Sequence, residues 1–355
     1  MKVLFILADN VYLTPYLKFY THILDEQKYE YDVVFWDKNN NEQTIEENYY
    51  RFIGKGNNSI SKVFNYIKYR KYILYILNKN KYDIVIPLHS IISFILTNCL
   101  IKNYKNRYIY DVRDYSYEKY SIFRKSQKKL VNNSLINIIS SEGYKNFLPD
   151  SVYFVVHNCP NIEVSHTKRI NQPCINISYI GLIRFMEQNK KILLFFKNDE
   201  RFHLNFIGTN AENLKDFCNE NQITNVSLVG TFNSNDILKF YENTDAVMNL
   251  YGNNTPLLDY ALSNKLYYSA LLHKPILVCE DTYMETITRK YGIGFTLKMR
   301  DDNERTILYE YIKKLQYNEF VKNCDTFILK VKEDQKLLVS ELINRFKGVE
   351  DMLND

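Results

Sequence analysis

Short apolar runs alternate with amphipathic stretches along most of the 355 residues, and this order limits the fold more than any other feature. Residues 3–7, 31–36, 84–87, 108–111, 136–140 and 153–156 read as strands. Between them, 14–25, 61–78, 90–102, 118–132 and 142–147 read as helices. Parallel neighbours need long crossovers, so repeated strand–helix order implies a parallel sheet covered on both faces. A polar connector at 161–173 ends this series. The second series begins with strand 175–180, helix 189–198 and strands 204–207 and 226–229. Helix 235–242, capped from Asn233-Ser234, and strands 246–250 and 276–278 follow. Residues 304–353 read as largely helical.

A chain of this length exceeds one ordinary core. The expected class is α/β, with two Rossmann-like parallel-sheet domains facing across a cleft. Residues 1–165 form the first, 166–330 the second, and 331–355 a helix returning to the first. Ligands in such folds sit beyond the C-terminal ends of the strands.

Apolar residues at 46% and charged residues at 25% fit a globular protein. Its 31 Tyr and 21 Phe make it unusually aromatic. The six cysteines form no CxxC pair and are scattered, which argues against a zinc site or a disulfide framework. Reduced thiols in a cytoplasmic protein are expected. Met1–Ala8 runs straight into Asp9-Asn10, so it reads as a first strand and not a leader. Residues 84–101 are broken by Pro87, His89, Ser90, Ser93, Thr97 and Asn98, and read as strand plus helix rather than a membrane span.

Charge is uneven. Residues 1–165 carry 22 Lys/Arg against 16 Asp/Glu, and the remainder 24 against 25. The excess lies mainly between Lys55 and Lys129, and would meet anionic lipid, nucleic acid or a phosphorylated acceptor.

Four constellations are candidates for chemistry. Ser263-Asn264-Lys265 opens an apolar helical run that stops at Lys274-Pro275, before strand 276–278. A helix N-terminus beside a parallel sheet, with lysine in its first turn, is a place for phosphate. The plainer reading is an ordinary capped helix. The strand ending at Gly181 leads to Arg184, with Lys190 six residues further. A guanidinium fork and an ammonium there suit a diphosphate, or are two solvated surface cations. Asp111-Val112-Arg113-Asp114 ends a strand of the first domain, and either positions a hydroxyl or forms a structural pair. His157-Asn158-Cys159-Pro160-Asn161 is a turn, and His89 ends another strand; a lone histidine there is more often structural. With 10 glycines in the chain, no Gly-rich phosphate loop is present, nor HExxH or GxSxG, which argues against kinases and nicotinamide dehydrogenases.

The ordered set resembles GT-B glycosyltransferases, in particular the retaining family 4 enzymes of bacterial surface polysaccharide synthesis. Ser140-Ser141-Glu142-Gly143-Tyr144 resembles the segment that closes the first sheet. Val156-His157-Asn158-Cys159-Pro160-Asn161 resembles "PNG(V/P)D". Ile177–Arg184 with Lys190 is similar to the donor-phosphate pattern "YxGxxR…K". Phe206-Ile207-Gly208 and Val229-Gly230-Thr231-Phe232 resemble the next two strand ends. Lys265-Leu266-Tyr267-Tyr268 with Lys274-Pro275 resembles "KLxEYxAxGKP", and Asp111–Asp114 resembles "(D/E)VRD". The resemblance covers roughly residues 1–300.

It implies a nucleotide-diphosphate sugar as donor substrate, with no cofactor and no metal. Gly181, Arg184, Lys190, Phe232, Ser263, Asn264, Lys265 and Tyr268 would form the donor side. Asp114 and Arg113 would act on a lipid-linked or oligosaccharide acceptor held by the first domain. By its own composition the basic, Tyr-rich segment 61–81 suits either contact with anionic membrane or an ordinary packed surface helix; no nucleic acid partner is implied. The chain departs from the pattern where the family carries two glutamates, here Tyr260 and Tyr268, with Asp259 one residue from the first. His273 stands where glycine is usual, and Asp9-Asn10-Val11-Tyr12 where a glycine pair follows the first strand. Two alternatives are a nucleotide-sugar epimerase of the same architecture and a catalytically silent scaffold.

Overall fold

The computed structural model describes residues 1–38, 40–43, 46–54, 59–162 and 173–354. It divides into two units, Met1–His157 with Glu333–Asp355, and Asn158–Lys332.

Unit 1 contains strands β1 (Lys2–Leu7), β2 (Glu30–Asp37), β3 (Tyr49–Ile53), β4 (Ile84–Leu88), β5 (Ile109–Val112), β6 (Ile136–Ile139) and β7 (Phe154–Val155). Its helices are α1 (Leu17–Glu26), α2 (Ser59–Lys79), α3 (Ser90–Ile95), α4 (Thr97–Asn103) and α5 (Ser121–Val131). The sheet runs β3-β2-β1-β4-β5-β6-β7, all parallel. Val3 to Leu7 are fully buried, as a central parallel strand covered on both faces requires. One face is covered by Leu17, Tyr20, Ile23 and Leu24 of α1, together with Leu338, Leu342, Phe346 and Val349. Each such side chain contributes about 1.5–3 kcal/mol of burial.

The crossovers through α2 (β3 to β4), α3–α4 (β4 to β5) and α5 (β5 to β6) all step in the same direction along the sheet. Right-handed connection puts those helices on one face, and α1, which steps the other way, on the opposite one. Tyr69 of α2 ties this layer to the sheet, donating to the carbonyl of Leu7 at 2.7 Å.

Unit 2 contains β8 (Ile175–Ile180), β9 (Phe202–Ile207), β10 (Val226–Val229), β11 (Ala246–Asn249), β12 (Ile276–Val278) and β13 (Gly294–Thr296). The helices are α6 (Met186–Phe195), α7 (Lys215–Glu220), α8 (Ile237–Glu242), α9 (Pro256–Asp259), α10 (Asn264–Leu271), α11 (Tyr283–Tyr291) and α12 (Asn303–Lys313), and α13 (Tyr317–Asn354) begins in unit 2 and continues into the Glu333–Asp355 part of unit 1. The sheet order is β10-β9-β8-β11-β12-β13, again parallel. Ile192, Phe196, Leu214 and Leu308 pack on one face. Tyr241, Leu266, Tyr267, Met284 and Phe327 pack on the other.

Several elements differ from the sequence reading. The helix expected at 90–102 is two, α3 and α4, because Leu96 leaves helical geometry at φ −103° and ψ 4°. The helix expected from Glu118 starts at Ser121; Glu118 instead buries its carboxylate against the Ser116 N–H and Gln127. Residues Glu142–Asn146 form a 3₁₀ turn. Helix α6 opens at Met186, three residues early, behind Phe185 in a left-handed conformation. Strands β3 and β13 and helices α7, α9 and α11 were not expected. Of the connector at 161–173, residues 163–172 lie outside the described residues, as does Lys55 of the basic segment. The six cysteines are free thiols.

Candidate functional site

The strand ends of unit 2 meet backbone to backbone. Gly181, just past β8, has φ +121°, and Gly208, just past β9, has φ +135°. A Cβ on Gly208 would lie 1.9 Å from the carbonyl oxygen of Gly181, so only glycine fits. A Cβ on Gly181 would meet the Lys265 Nζ at 3.7 Å, which places that ammonium over the end of β8.

Helix α10 aims Lys265 there. Ser263 caps the helix, its Oγ accepting from the Lys265 N–H at 3.3 Å. The Lys265 side chain donates to the Tyr251 hydroxyl at 2.7 Å. Its Nζ stands 4.4 Å from the Tyr179 ring centroid and 5.3 Å from that of Tyr251. The residue is only 7% exposed. Among the described residues no carboxylate pairs with this ammonium. Burial raises the Tyr251 phenol, but the charge and hydrogen bond of Lys265 outweigh it and hold Tyr251 below the ordinary tyrosine range. Tyr179, also buried and facing Tyr251, is pushed up. A buried cation held by two aromatic faces and a phenol, without a carboxylate, is electrostatically incomplete, and an anion completes it.

The loop carrying Arg184 is fixed beside this group. Its N–H donates to the Tyr179 hydroxyl at 3.2 Å, and its carbonyl accepts from Asn189 at 2.7 Å. The Arg184 guanidinium is exposed and lies 5.5 Å from the Phe185 ring. Among the described residues Lys190 and Arg184 share no partner. Lys190 pairs with Glu187 at 2.8 Å and lies 5.6 Å from the Phe217 ring.

Two of the remaining donor-side candidates sit in aromatic pairs against the core of unit 2. Tyr268 stacks on Tyr241 with centroids 5.2 Å apart and planes at 12°, and Phe232 packs on Phe240 at 4.8 Å. Asn264 is exposed. Asp259 has a buried Oδ1 without a hydrogen-bond partner, and burial together with the charge of Asp281 raises its carboxyl.

In unit 1, Arg113 faces inward. Its Nε and Nη2 donate to the two oxygens of Asp111 at 2.6 and 2.7 Å, and Tyr20 donates to Asp111 Oδ2 at 2.5 Å. The guanidinium also lies 4.3 Å from the Tyr16 ring centroid. Asp114, the next residue, is exposed. His89, directly after β4, holds φ +103°, and its Nδ1 accepts from the Ile91 N–H at 3.3 Å. Such a backbone is costly for a residue with a Cβ and concentrates at functional sites. His157 sits 3.2 Å from Asp334.

Of the residues expected from the sequence, the structure brings Lys265, Ser263 and Gly181 together, and it adds Tyr179 and Tyr251, which were not expected as partners of Lys265. Their signal was positional, since Tyr251 falls two residues beyond β11, where ligand-facing groups collect.

Neither family models nor curated proteins give a match to the chain. Solved structures do. Sucrose-phosphate synthase from Thermosynechococcus elongatus aligns with a TM-score of 0.74 at 10% identity, covering 98% of this chain and 100% of that one. The lipopolysaccharide outer core galactosyltransferase WaaB aligns at 0.66 with 13% identity, covering 98% and 99%. HepE of Anabaena, in complex with UDP, aligns at 0.66 with 11% identity, covering 97% and 100%. The fold is GT-B. Within a GT-B fold, the two parallel sheets are the scaffold, and activity depends on the groups mounted at the strand ends. Among the described residues no helix is long and apolar enough to cross a membrane.

Proposed function

We propose that this protein is a glycosyltransferase that moves a sugar from a nucleotide-diphosphate sugar to a lipid-linked or glycan acceptor. The observation that carries this reading is the buried ammonium of Lys265, held over Gly181 at a capped helix N-terminus and lacking a carboxylate. A diphosphate supplies the missing charge. The complexes of HepE with UDP and with UDP-glucose support the choice of donor class.

In this reading the C1–oxygen bond to the β-phosphate breaks and a C1–oxygen bond to the acceptor hydroxyl forms on the same face, with retention. The acceptor proton passes to the departing phosphate oxygen, and nucleoside diphosphate leaves. Lys265, Arg184 and the helix N-terminus stabilise the charge that develops on it, without a metal ion. Lys190 joins them by exchanging Glu187 for phosphate. Gly181 admits the diphosphate, while Ser263 and Asn264 present the helix end. Phe232 and Tyr268 contact the nucleoside. Unit 1 holds the acceptor, with Asp114 at the hydroxyl and Arg113 as a positioning residue locked to Asp111. His89 is added to that side on its strained backbone. The setting is bacterial surface polysaccharide synthesis, capsule or O-antigen, at the cytoplasmic face of the membrane.

The test is a thermal-shift and calorimetric screen against UDP-, GDP- and dTDP-sugars, followed by product analysis with labelled donor. Binding that is lost in Arg184→Ala and Lys265→Ala supports the reading; no response to any nucleotide sugar overturns it. Donor converted without acceptor identifies an epimerase, and binding without turnover identifies a scaffold.

A further inference from the structure

Two tyrosines surround Lys265, and their hydroxyls are used differently. The Tyr179 hydroxyl is fully engaged, accepting from the Arg184 N–H at 3.2 Å and donating to the Leu182 carbonyl at 3.0 Å. The Tyr251 hydroxyl accepts from the Lys265 ammonium at 2.7 Å. Among the described residues no carbonyl or carboxylate takes its proton; its polar neighbours are that ammonium and the Tyr179 and Ser263 hydroxyls. A phenol is both donor and acceptor, so a donor is left over beside the ammonium that stands at the end of β8.

Tyr251 is held from both sides. Its ring lies 5.5 Å from that of Tyr179 and 5.4 Å from that of Phe185. Leu250, before it, is buried in the core of unit 2. Gly252, after it, has φ +98° and donates its N–H to the Cys279 Sγ at 3.3 Å. Asn253 then donates to the Glu280 carbonyl at 3.1 Å. The loop after β11 is thus tied to the loop after β12, which fixes the phenol in place. An ammonium that donates to a phenol oxygen polarises the phenol O–H and strengthens it as a donor. The acceptor that suits this pair is an anionic oxygen within reach of both groups.

We infer that Tyr251 is a further catalytic residue, its hydroxyl donating to the phosphate oxygen that the sugar leaves. This rests on the transferase reading and adds one contact to it. No proton moves along the contact: the phenol keeps its own, and the acceptor proton goes to phosphate as before. The leaving oxygen carries little charge in the nucleotide sugar and much more in the transition state and in the nucleoside diphosphate. A hydrogen bond that strengthens with that charge lowers the barrier more than the ground state. Only the phenol can donate. Burial raises the Tyr251 phenol, but Lys265 outweighs it and holds Tyr251 below the ordinary tyrosine range. Tyr179 of β8, on which Arg184 acts, and Tyr241 of α8 also pack around it, and burial pushes both up. Catalysis and diphosphate binding therefore decline as pH rises through Tyr251, while those two neighbours stay protonated.

The experiment sets wild type against Tyr251→Phe in titration calorimetry with UDP, GDP and dTDP, and with UDP-, GDP- and dTDP-glucose. Cleavage of whichever donor binds is followed from neutral to alkaline pH. Tyr251→Phe should weaken the free diphosphate by about ten- to a hundredfold, and the sugar form by about threefold or less. Its kcat should fall by about a hundred- to a thousandfold. The alkaline decline in diphosphate affinity should vanish in this variant. Replacing Tyr251 with difluorotyrosine, a more acidic phenol of similar shape, should move the decline to lower pH. An unchanged melting temperature shows that Tyr251→Phe folds; if it does not, the difluorotyrosine protein, which keeps the hydroxyl, decides alone. Equal weakening of diphosphate and sugar forms marks a residue that only holds Lys265, and overturns the inference. So does an alkaline decline that persists in Tyr251→Phe or that difluorotyrosine leaves unmoved. In those results diphosphate still binds wild type and the transferase reading stands, whereas wild type that binds no nucleotide overturns both.

Discussion

Lys265 and Tyr251 form a 2.7 Å ammonium–phenol contact in which the ammonium holds the phenol below the ordinary tyrosine range. Without an anion, Lys265 costs the fold desolvation that no carboxylate offsets. Lys265→Met is therefore expected to leave the melting temperature of the free protein unchanged or higher. The same variant should bind nucleotide sugar about ten- to a hundredfold more weakly, the worth of one charge-assisted hydrogen bond. Paired thermal melts and titration calorimetry would show whether the two effects separate in this way.

Arg113 should behave in the opposite manner. Removing it leaves Asp111 buried with Tyr20 as its one remaining side-chain donor among the described residues. Arg113→Ala is expected to cost about 3–5 kcal/mol in urea unfolding. Adding Asp111→Asn to that variant should restore part of the loss, because the uncompensated charge disappears with it.

Gly208→Ala tests the contact of strand ends. The added Cβ meets the Gly181 carbonyl at 1.9 Å from a backbone at φ +135°, so one of the two turns must move. A loss above about 3 kcal/mol is expected, together with loss of nucleotide-sugar binding. Gly230→Ala is the control, since nothing lies within 4 Å of its Cβ position, and should stay within about 0.5 kcal/mol of wild type.

Asp37 gives a pH signature. Burial raises its carboxyl, but Asn10, the N–H groups of Glu42 and Asn41, and Arg51 outweigh that and bring it down to about 2. An unfolded aspartate titrates near about 3.9. A folded value below the unfolded one adds stability above that pH and loses it as pH falls through the folded value. The stability gap between wild type and Asp37→Asn should therefore be full at neutral pH and close as pH drops from about 4 toward about 2. Denaturation curves at stepped pH would reveal a gap that failed to close.

The α/β architecture was legible because central parallel strands are written as unbroken apolar runs, as in Val3–Leu7. Edge strands carry no such mark. In β3, Tyr-Tyr-Arg-Phe-Ile is only partly buried, and β13 is three residues beginning with glycine. Helix α11 did leave a sign, since Thr282 caps the N–H of Glu285 at its start and Gly292 ends it at φ +62°. In the candidate site, Lys265 was readable from its capped helix, whereas Tyr179 and Tyr251 meet only when β8 and β11 pair in the fold. Lys190 shows the limit of spacing as a guide. One helical turn from Glu187, it takes that carboxylate as its partner.

Helix α13 has a consequence for biosynthesis. Phe320, Cys324, Phe327 and Val331 complete the core of unit 2, while Leu338, Leu342, Phe346 and Val349 complete that of unit 1. A ribosome therefore makes most of unit 1 first and supplies its final covering segment only after all of unit 2 has emerged. Until then the α1 side of the first sheet lacks four of its apolar partners, so nascent unit 1 carries uncovered apolar surface for as long as unit 2 is being made.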